Sequence, residues 1–185
     1  NGVAEAQKDG KWGLITPDGQ ALVPFKFEKS GAMSEGIAVM LQETNGKMKT
    51  YEAYDTTGRR LFVTNDYKQI GWFKDGLARV NRFSKWGYID RKGKLVIPAR
   101  YEQAYDFDNG LAPVKYRGKW GYLDTKGKIA IYPEFDQVGR FEHGLAPVKQ
   151  DGKWGAINRD GKWVIKPTFG YLSGFAVVVT DEKTE

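Results

Sequence analysis

The chain has no cysteine and a single histidine among its 185 residues. Without thiols, disulfides and thiolate-bound metals are excluded. With His143 as the sole imidazole, a zinc site would need carboxylates almost alone, against the metal's preference for nitrogen and sulfur. Neither a metal nor a cofactor is expected. A Ser-His-Asp triad would have to bring Ser30, Ser34, Ser84 or Ser173 to His143, and no nucleophile elbow is present. Glycine-rich phosphate loops are missing as well. No catalytic residue is expected, and an enzyme is only a remote reading. Long apolar runs are also absent. The longest is Phe175-Ala176-Val177-Val178-Val179, far short of the roughly 20 residues that span a bilayer as a helix, so no transmembrane segment is expected. The N-terminal residues do not read as a secretory leader: Asn1-Gly2-Val3-Ala4 falls inside a repeat, and a longer precursor is expected.

What is present points to strands. The chain carries 23 Gly, 10 Tyr, 10 Phe and 6 Trp, a pairing of turn formers with strand formers. Hydrophobic residues make up 41% and charged residues 28%, which excludes a disordered chain. The net charge of +6 mildly favours an anionic partner surface, but acids and bases are interspersed.

Internal self-similarity organises the chain. Lys85-Trp86-Gly87-Tyr88-Ile89-Asp90 recurs at Lys119-Trp120-Gly121 and Lys153-Trp154-Gly155, and Lys11-Trp12-Gly13 is a further copy. Trp86, Trp120 and Trp154 stand at a constant spacing of 34 residues. A glycine follows each Trp seven positions on, at Gly19, Gly93, Gly127 and Gly161. The gap between Trp12 and Trp86 leaves room for one degenerate copy. It is placed at Tyr51-Glu52, because Gly58 and Leu61-Phe62-Val63 keep the frame. A second signature, Gly-Leu-Ala-Pro-Val at Gly110 and Gly144, precedes the motif and recurs in weaker form at Gly2, Gly36, Gly76 and Gly174.

Each unit reads as a three-stranded antiparallel meander with tight turns such as Asp9-Gly10 and Asp151-Gly152. A connector of about ten residues follows, with aromatics expected to fold back over the sheet. The expected fold class is all-β: tandem three-stranded antiparallel meander repeats stacked as an open β-solenoid or superhelix, with a five-bladed β-propeller-like ring as the alternative. One repeat domain is expected over 1–185, with units of about 1–35, 36–75, 76–109, 110–143 and 144–173, a partial unit 174–179 and a tail 180–185. Trp12, Trp86, Trp120 and Trp154 are the expected anchors between layers. Gly13, Gly87, Gly121 and Gly155 are expected to let the next unit approach.

Asp55, Asp90 and Asp124 recur in register and are read as turn-capping acceptors rather than catalytic acids. Lys11, Lys85, Lys119 and Lys153 would align into a ridge. Edge protection explains them better than nucleic-acid binding does, so nucleic acid is the disfavoured partner. Residues that break the repeat are sharper. Trp72 aligns with Asp106 and Arg140. Phe83 stands in a turn held elsewhere by Asp9, Arg117 and Asp151. Arg79 replaces Pro113 and Pro147, and Tyr116 stands where Lys8 and Gln150 stand. Trp72, Arg79, Phe83 and Tyr116 form the candidate binding surface.

On the repeated Lys-Trp-Gly motif with its fixed downstream glycine, the sequence resembles the bacterial WG repeat family, also called KWG repeats. The resemblance covers nearly the whole chain. It implies an exported bacterial repeat domain with an extracellular, periplasmic or cell-surface location, and no defined catalytic residues to carry over. A non-catalytic scaffold binding another protein is the expected function. A cell-envelope module binding an anionic glycan or cell-wall polymer is the alternative.

Overall fold

Turn chemistry sets the strand boundaries. The computed structural model describes residues 2–44 and 48–175, and among these every regular element is a β-strand. The first sheet comprises β1 (Ala4–Lys8), β2 (Lys11–Ile15) and β3 (Ala21–Phe27). The second comprises β4 (Lys29–Ser34), β5 (Ile37–Thr44), β6 (Met48–Asp55) and β7 (Arg60–Thr64). In the third, β8 (Gln69–Lys74), β9 (Leu77–Arg82), β10 (Lys85–Asp90) and β11 (Leu95–Tyr101) follow in order. The fourth holds β12 (Gln103–Ala104), β13 (Leu111–Tyr116), β14 (Lys119–Asp124) and β15 (Ile129–Phe135). The fifth holds β16 (Gln137–Val138), β17 (Leu145–Gln150), β18 (Lys153–Asn158) and β19 (Trp163–Phe169).

The tandem array of small antiparallel sheets matches the expected fold class, and no sheet closes into a barrel. The strand count per unit differs. Four of the five sheets have four strands, because the connector supplies an additional one. Its amides pair with the Gly-Leu-Ala strand, as in Tyr105 N–H to Pro113 O at 3.0 Å and Gly139 N–H to Pro147 O at 2.8 Å. Without this pairing, one side of that strand would be an unsatisfied edge. Of the expected partial unit, residues 176–179 lie outside the described residues, as does the 180–185 tail.

Each hydrophobic core lies between two successive sheets. Phe27 packs with Ala38, Met40 and Tyr54 of the second sheet. Tyr101 packs with Ala112, Val114 and Leu123 of the fourth, and Phe135 with Phe141, Ala146 and Val148 of the fifth. These aromatics, which the sequence assigns to the connector, instead end β3, β11 and β15 and are covered there, whereas Phe169 of the last described sheet is 48% exposed. A meander alone could not bury this face, so each sheet depends on its neighbour.

Polar ties repeat from sheet to sheet. The Tyr88 hydroxyl donates to Tyr105 O and the Tyr122 hydroxyl to Gly139 O, both at 2.8 Å. Burial pushes both phenols above their usual range. The Glu35 carboxylate accepts from Gly76 N–H at 3.0 Å, and the Asp75 carboxylate from Gly110 N–H at 2.7 Å. Arg91 donates to Glu35 O, and Arg159 to Asn109 O. Among the described residues no hydrogen bond joins the first sheet to the fifth.

Two glycine series do different work. A Cβ on Gly87 would sit 2.4 Å from Ile97 O, and one on Gly121 2.5 Å from Ile131 O. Gly13 and Gly155 meet Val23 O and Ile165 O in the same way. These carbonyls belong to the adjacent strand of the same sheet, at the bulge after the Trp. The expectation that this glycine admits the next unit is therefore corrected: it admits its own neighbouring strand. It is the downstream turn glycine that lies against another unit, the preceding one. A Cβ on Gly93 would lie 2.6 Å from Phe62 of the preceding sheet, and one on Gly58 2.6 Å from Leu22.

Candidate functional site

The repeat anchors form the frame. Trp120 is buried, while Trp86 and Trp12 pack at the margins of intersheet cores. Tyr105 stacks on Trp120 at 5.3 Å. Asp90, Asp124 and Asp55 each accept two backbone amides across the following turn, as Asn158 does in the fifth sheet. Their capping role is as the sequence predicts. His143 is an exposed turn residue with φ of 50°. Two lysines of the expected ridge are paired, Lys11 with Glu28 at 2.8 Å and Lys119 with Asp136 at 2.6 Å. The contact with Lys119 holds the Asp136 carboxyl below its usual range.

Of the four residues of the candidate surface, the structure brings Trp72 and Arg79 together at one small cavity beside Asp106. Arg79 is three-quarters buried and serves the scaffold. It donates to Ala104 O at 2.9 Å and lies over the Trp86 ring at 5.2 Å. Its Nε approaches the Asp106 carboxylate to 2.9 Å, yet neither atom has a hydrogen-bond partner of acceptable geometry. That contact is a close charge pair rather than an aligned hydrogen bond. Tyr116 is half-buried and meets Tyr101 edge-on at 6.1 Å. Phe83 is 87% exposed at the β9–β10 turn, and Trp72 is 52% exposed on β8.

Phe83 and Ser84 both take positive φ, 50° and 61°, where the equivalent turns pair a polar or charged residue with glycine. L-residues pay about 1 kcal/mol or more for this conformation. Ser84→Gly is expected to stabilise the protein by about 1 kcal/mol, a rise of roughly 2–4 °C in Tm by calorimetry. An unchanged or lower Tm would show that the turn is unstrained.

Trp72 opens onto a cavity of about 550 Å³ that four consecutive units line with residues from β4, β8 and the connectors. Ser34 comes from β4, Lys74 from β8, Asp106 and Asp108 from the segment between β12 and β13, and Arg140 from the segment between β16 and β17. Burial raises the Asp106 carboxyl above its usual range, against the lowering pull of Arg79, Arg140 and Lys74. Lys74, Asp108 and Arg140 were not singled out in the sequence. Their signal was present: they flank Phe73, Phe107 and Phe141 at alternate positions, the period that puts them on one strand face.

A family model described as "WG containing repeat" matches residues 12–47, 86–120, 120–154 and 154–183. Comparison with curated proteins gives no match. Among solved structures, the chain is similar to residues 644–1017 of HIRA, at 11% identity over 71% of this chain and 50% of that one, with a TM-score of 0.44. It is also similar to Kluyveromyces lactis Hsv2, at 13% identity over 72% and 47% of the two chains, TM-score 0.43. The AfRom2 CNH domain matches at 7% identity over 88% and 65%, TM-score 0.43. The chain spans about half the length of the first of these.

Proposed function

The chain belongs to the WG-containing repeat family, and from that premise we propose that it is a non-catalytic scaffold that binds another protein through its repeat surface, as part of an exported bacterial protein at the cell envelope or beyond. The supporting observation is Phe83. It lies 87% exposed on a turn with two positive-φ non-glycine residues, where nothing in the scaffold uses it. Its ring is backed by the Arg82 guanidinium at 5.3 Å, an aromatic–arginine pair of the kind enriched at binding hot spots.

Photocrosslinking tests this reading. A benzophenone amino acid placed at Phe83, and in a second protein at the equivalent Arg117, is irradiated in an extract of the source cell. A discrete adduct at position 83 and not at 117 is the expected result. Background labelling at both positions would remove the case for Phe83 as the contact. The second reading, a glycan-binding module, is favoured by a different observation, the cavity beside Trp72.

A further inference from the structure

Before the signatures at Gly76, Gly110 and Gly144, one buried residue stands between two more exposed ones. The central position is nearly constant from unit to unit: Met33, Phe73, Phe107 and Phe141. The three phenylalanines are at most 7% exposed and belong to the intersheet cores. The flanking positions differ in every unit. They are Ala32 and Ser34, then Trp72 and Lys74, then Asp106 and Asp108, then Arg140 and Glu142. Thus the core-facing residue is uniform, while each wall of the cavity has its own chemistry. Scaffold demands explain the first pattern and leave the second unexplained.

The charges in this cavity are not mutually spent. Asp106 is held by Arg79 at 2.9 Å, and Glu35 by Arg91 at 3.8 Å. Among the described residues, Lys74, Arg140 and Asp108 have no salt-bridge partner. Among the described residues the Asp108 carboxylate accepts only from the neighbouring Asn109 side chain, at 3.1 Å. Ser34 Oγ accepts from Phe73 N–H at 2.9 Å, which leaves its hydroxyl hydrogen available. The volume of about 550 Å³ falls within the roughly 300–1,000 Å³ of small-ligand sites.

We propose that this cavity binds a carboxylate-bearing sugar, a hexuronic acid unit of an anionic polysaccharide. The sugar ring lies against the exposed Trp72 face. Its carboxylate takes Lys74 and Arg140, the two cations without internal partners. Its hydroxyls donate to Asp108 and accept from Ser34. An acidic peptide would satisfy the two cations and could offer backbone amides to Asp108, but it presents no rigid ring to lie against Trp72. A neutral sugar would satisfy Trp72 and Asp108 and leave the cations unused. Only a polyhydroxylated acid uses all four walls. This inference rests on the cavity alone and is independent of the Phe83 contact.

The test is calorimetric titration with tri-galacturonate, neutral galactotriose and a tri-glutamate peptide. Saturable binding of the acidic trisaccharide is expected, at least about tenfold tighter than either control. It should weaken about tenfold in Trp72→Ala and again in Lys74→Gln/Arg140→Gln, be reduced in Asp108→Asn, and be unchanged in Phe83→Ala. These side chains lie at the open cavity, and a retained unfolding midpoint confirms that each variant is folded. No saturable binding, binding unaffected by the variants, or equal binding of the glutamate peptide would each overturn the proposal. A blank titration alongside a position-83 adduct would leave the protein-scaffold reading standing and remove this one.

Discussion

Gly121→Ala is expected to destabilise the protein by about 3 kcal/mol, lowering Tm by roughly 6–12 °C in a chain of this size. A Cβ there would stand 2.5 Å from Ile131 O, 2.7 Å from Pro133 N and 2.8 Å from Tyr132 C. All three are backbone atoms of β15, so no rotamer change relieves the clash. Relief would require widening the bulge, which would disturb the pairing of Tyr122 with Ile131 and of Trp120 with Phe135. All four belong to the core between the fourth and fifth sheets. Gly31→Ala is the control, since its Cβ would meet only Val39 O, at 3.5 Å. Chemical or thermal unfolding of the two variants decides the matter. Equal, small effects would mean that the bulge yields easily.

The protein already contains a counterpart of this substitution. At the equivalent register of the second sheet stands Glu52, opposite Met40 as Gly87 is opposite Val80. There β6 and β7 pair regularly through Glu52–Val63, and the shift between the flanking residues is lost. In consequence β7 has 5 residues, where β11, β15 and β19 have 7. A Cβ at this position and the bulge are mutually exclusive, and the second unit resolves the conflict by giving up the bulge.

The frame of the fold was legible because it repeats. The spacing of Gly58 and Leu61-Phe62-Val63 puts Tyr51 in the Trp register, and Tyr51 does pair with Leu41 as Trp86 pairs with Asn81. The additional strand was harder to see. In β12 and β16 it is only two residues long, too short for a period-two pattern to register. The role of the Trp-adjacent glycine was misread because spacing cannot say which backbone comes close. Arg79 and Tyr116 break the repeat in order to pack, Arg79 over Trp86 and Tyr116 against Tyr101. The alignment of Trp72 with Asp106 and Arg140 was visible. That the three share one cavity depends on how successive sheets are turned about each other, and no local pattern encodes that rotation.

Glu52→Gln is expected to cost about 2 kcal/mol at neutral pH and progressively less in acid. The Glu52 carboxylate is buried, accepts from the Tyr54 hydroxyl at 2.6 Å, and pairs with Lys26 at 2.9 Å and Arg60 at 3.3 Å. Desolvation alone would raise its pKa. The hydrogen bonds from Tyr54, Lys26 and Arg60 outweigh that and hold it below the ordinary 4.5. The same burial and contact push the Tyr54 phenol up to about 12, so it remains a donor across the accessible pH range. Lys26 and Arg60 are 41% and 56% exposed, which screens their share and leaves the phenol bond as the main contribution. A carboxylate whose folded pKa is depressed adds stability that is complete above its unfolded pKa and disappears as pH falls through the folded value. The wild-type protein should therefore lose stability from about pH 5 downward, and the variant less steeply. Asp106 works in the opposite direction, because burial raises its carboxyl and protonation favours the folded state. It is unchanged in Glu52→Gln and cancels in the difference between the two proteins. Denaturant melts of both across this range measure that difference directly. A gap that stays constant to the acid limit would mean that Glu52 acts through packing and not through its charge.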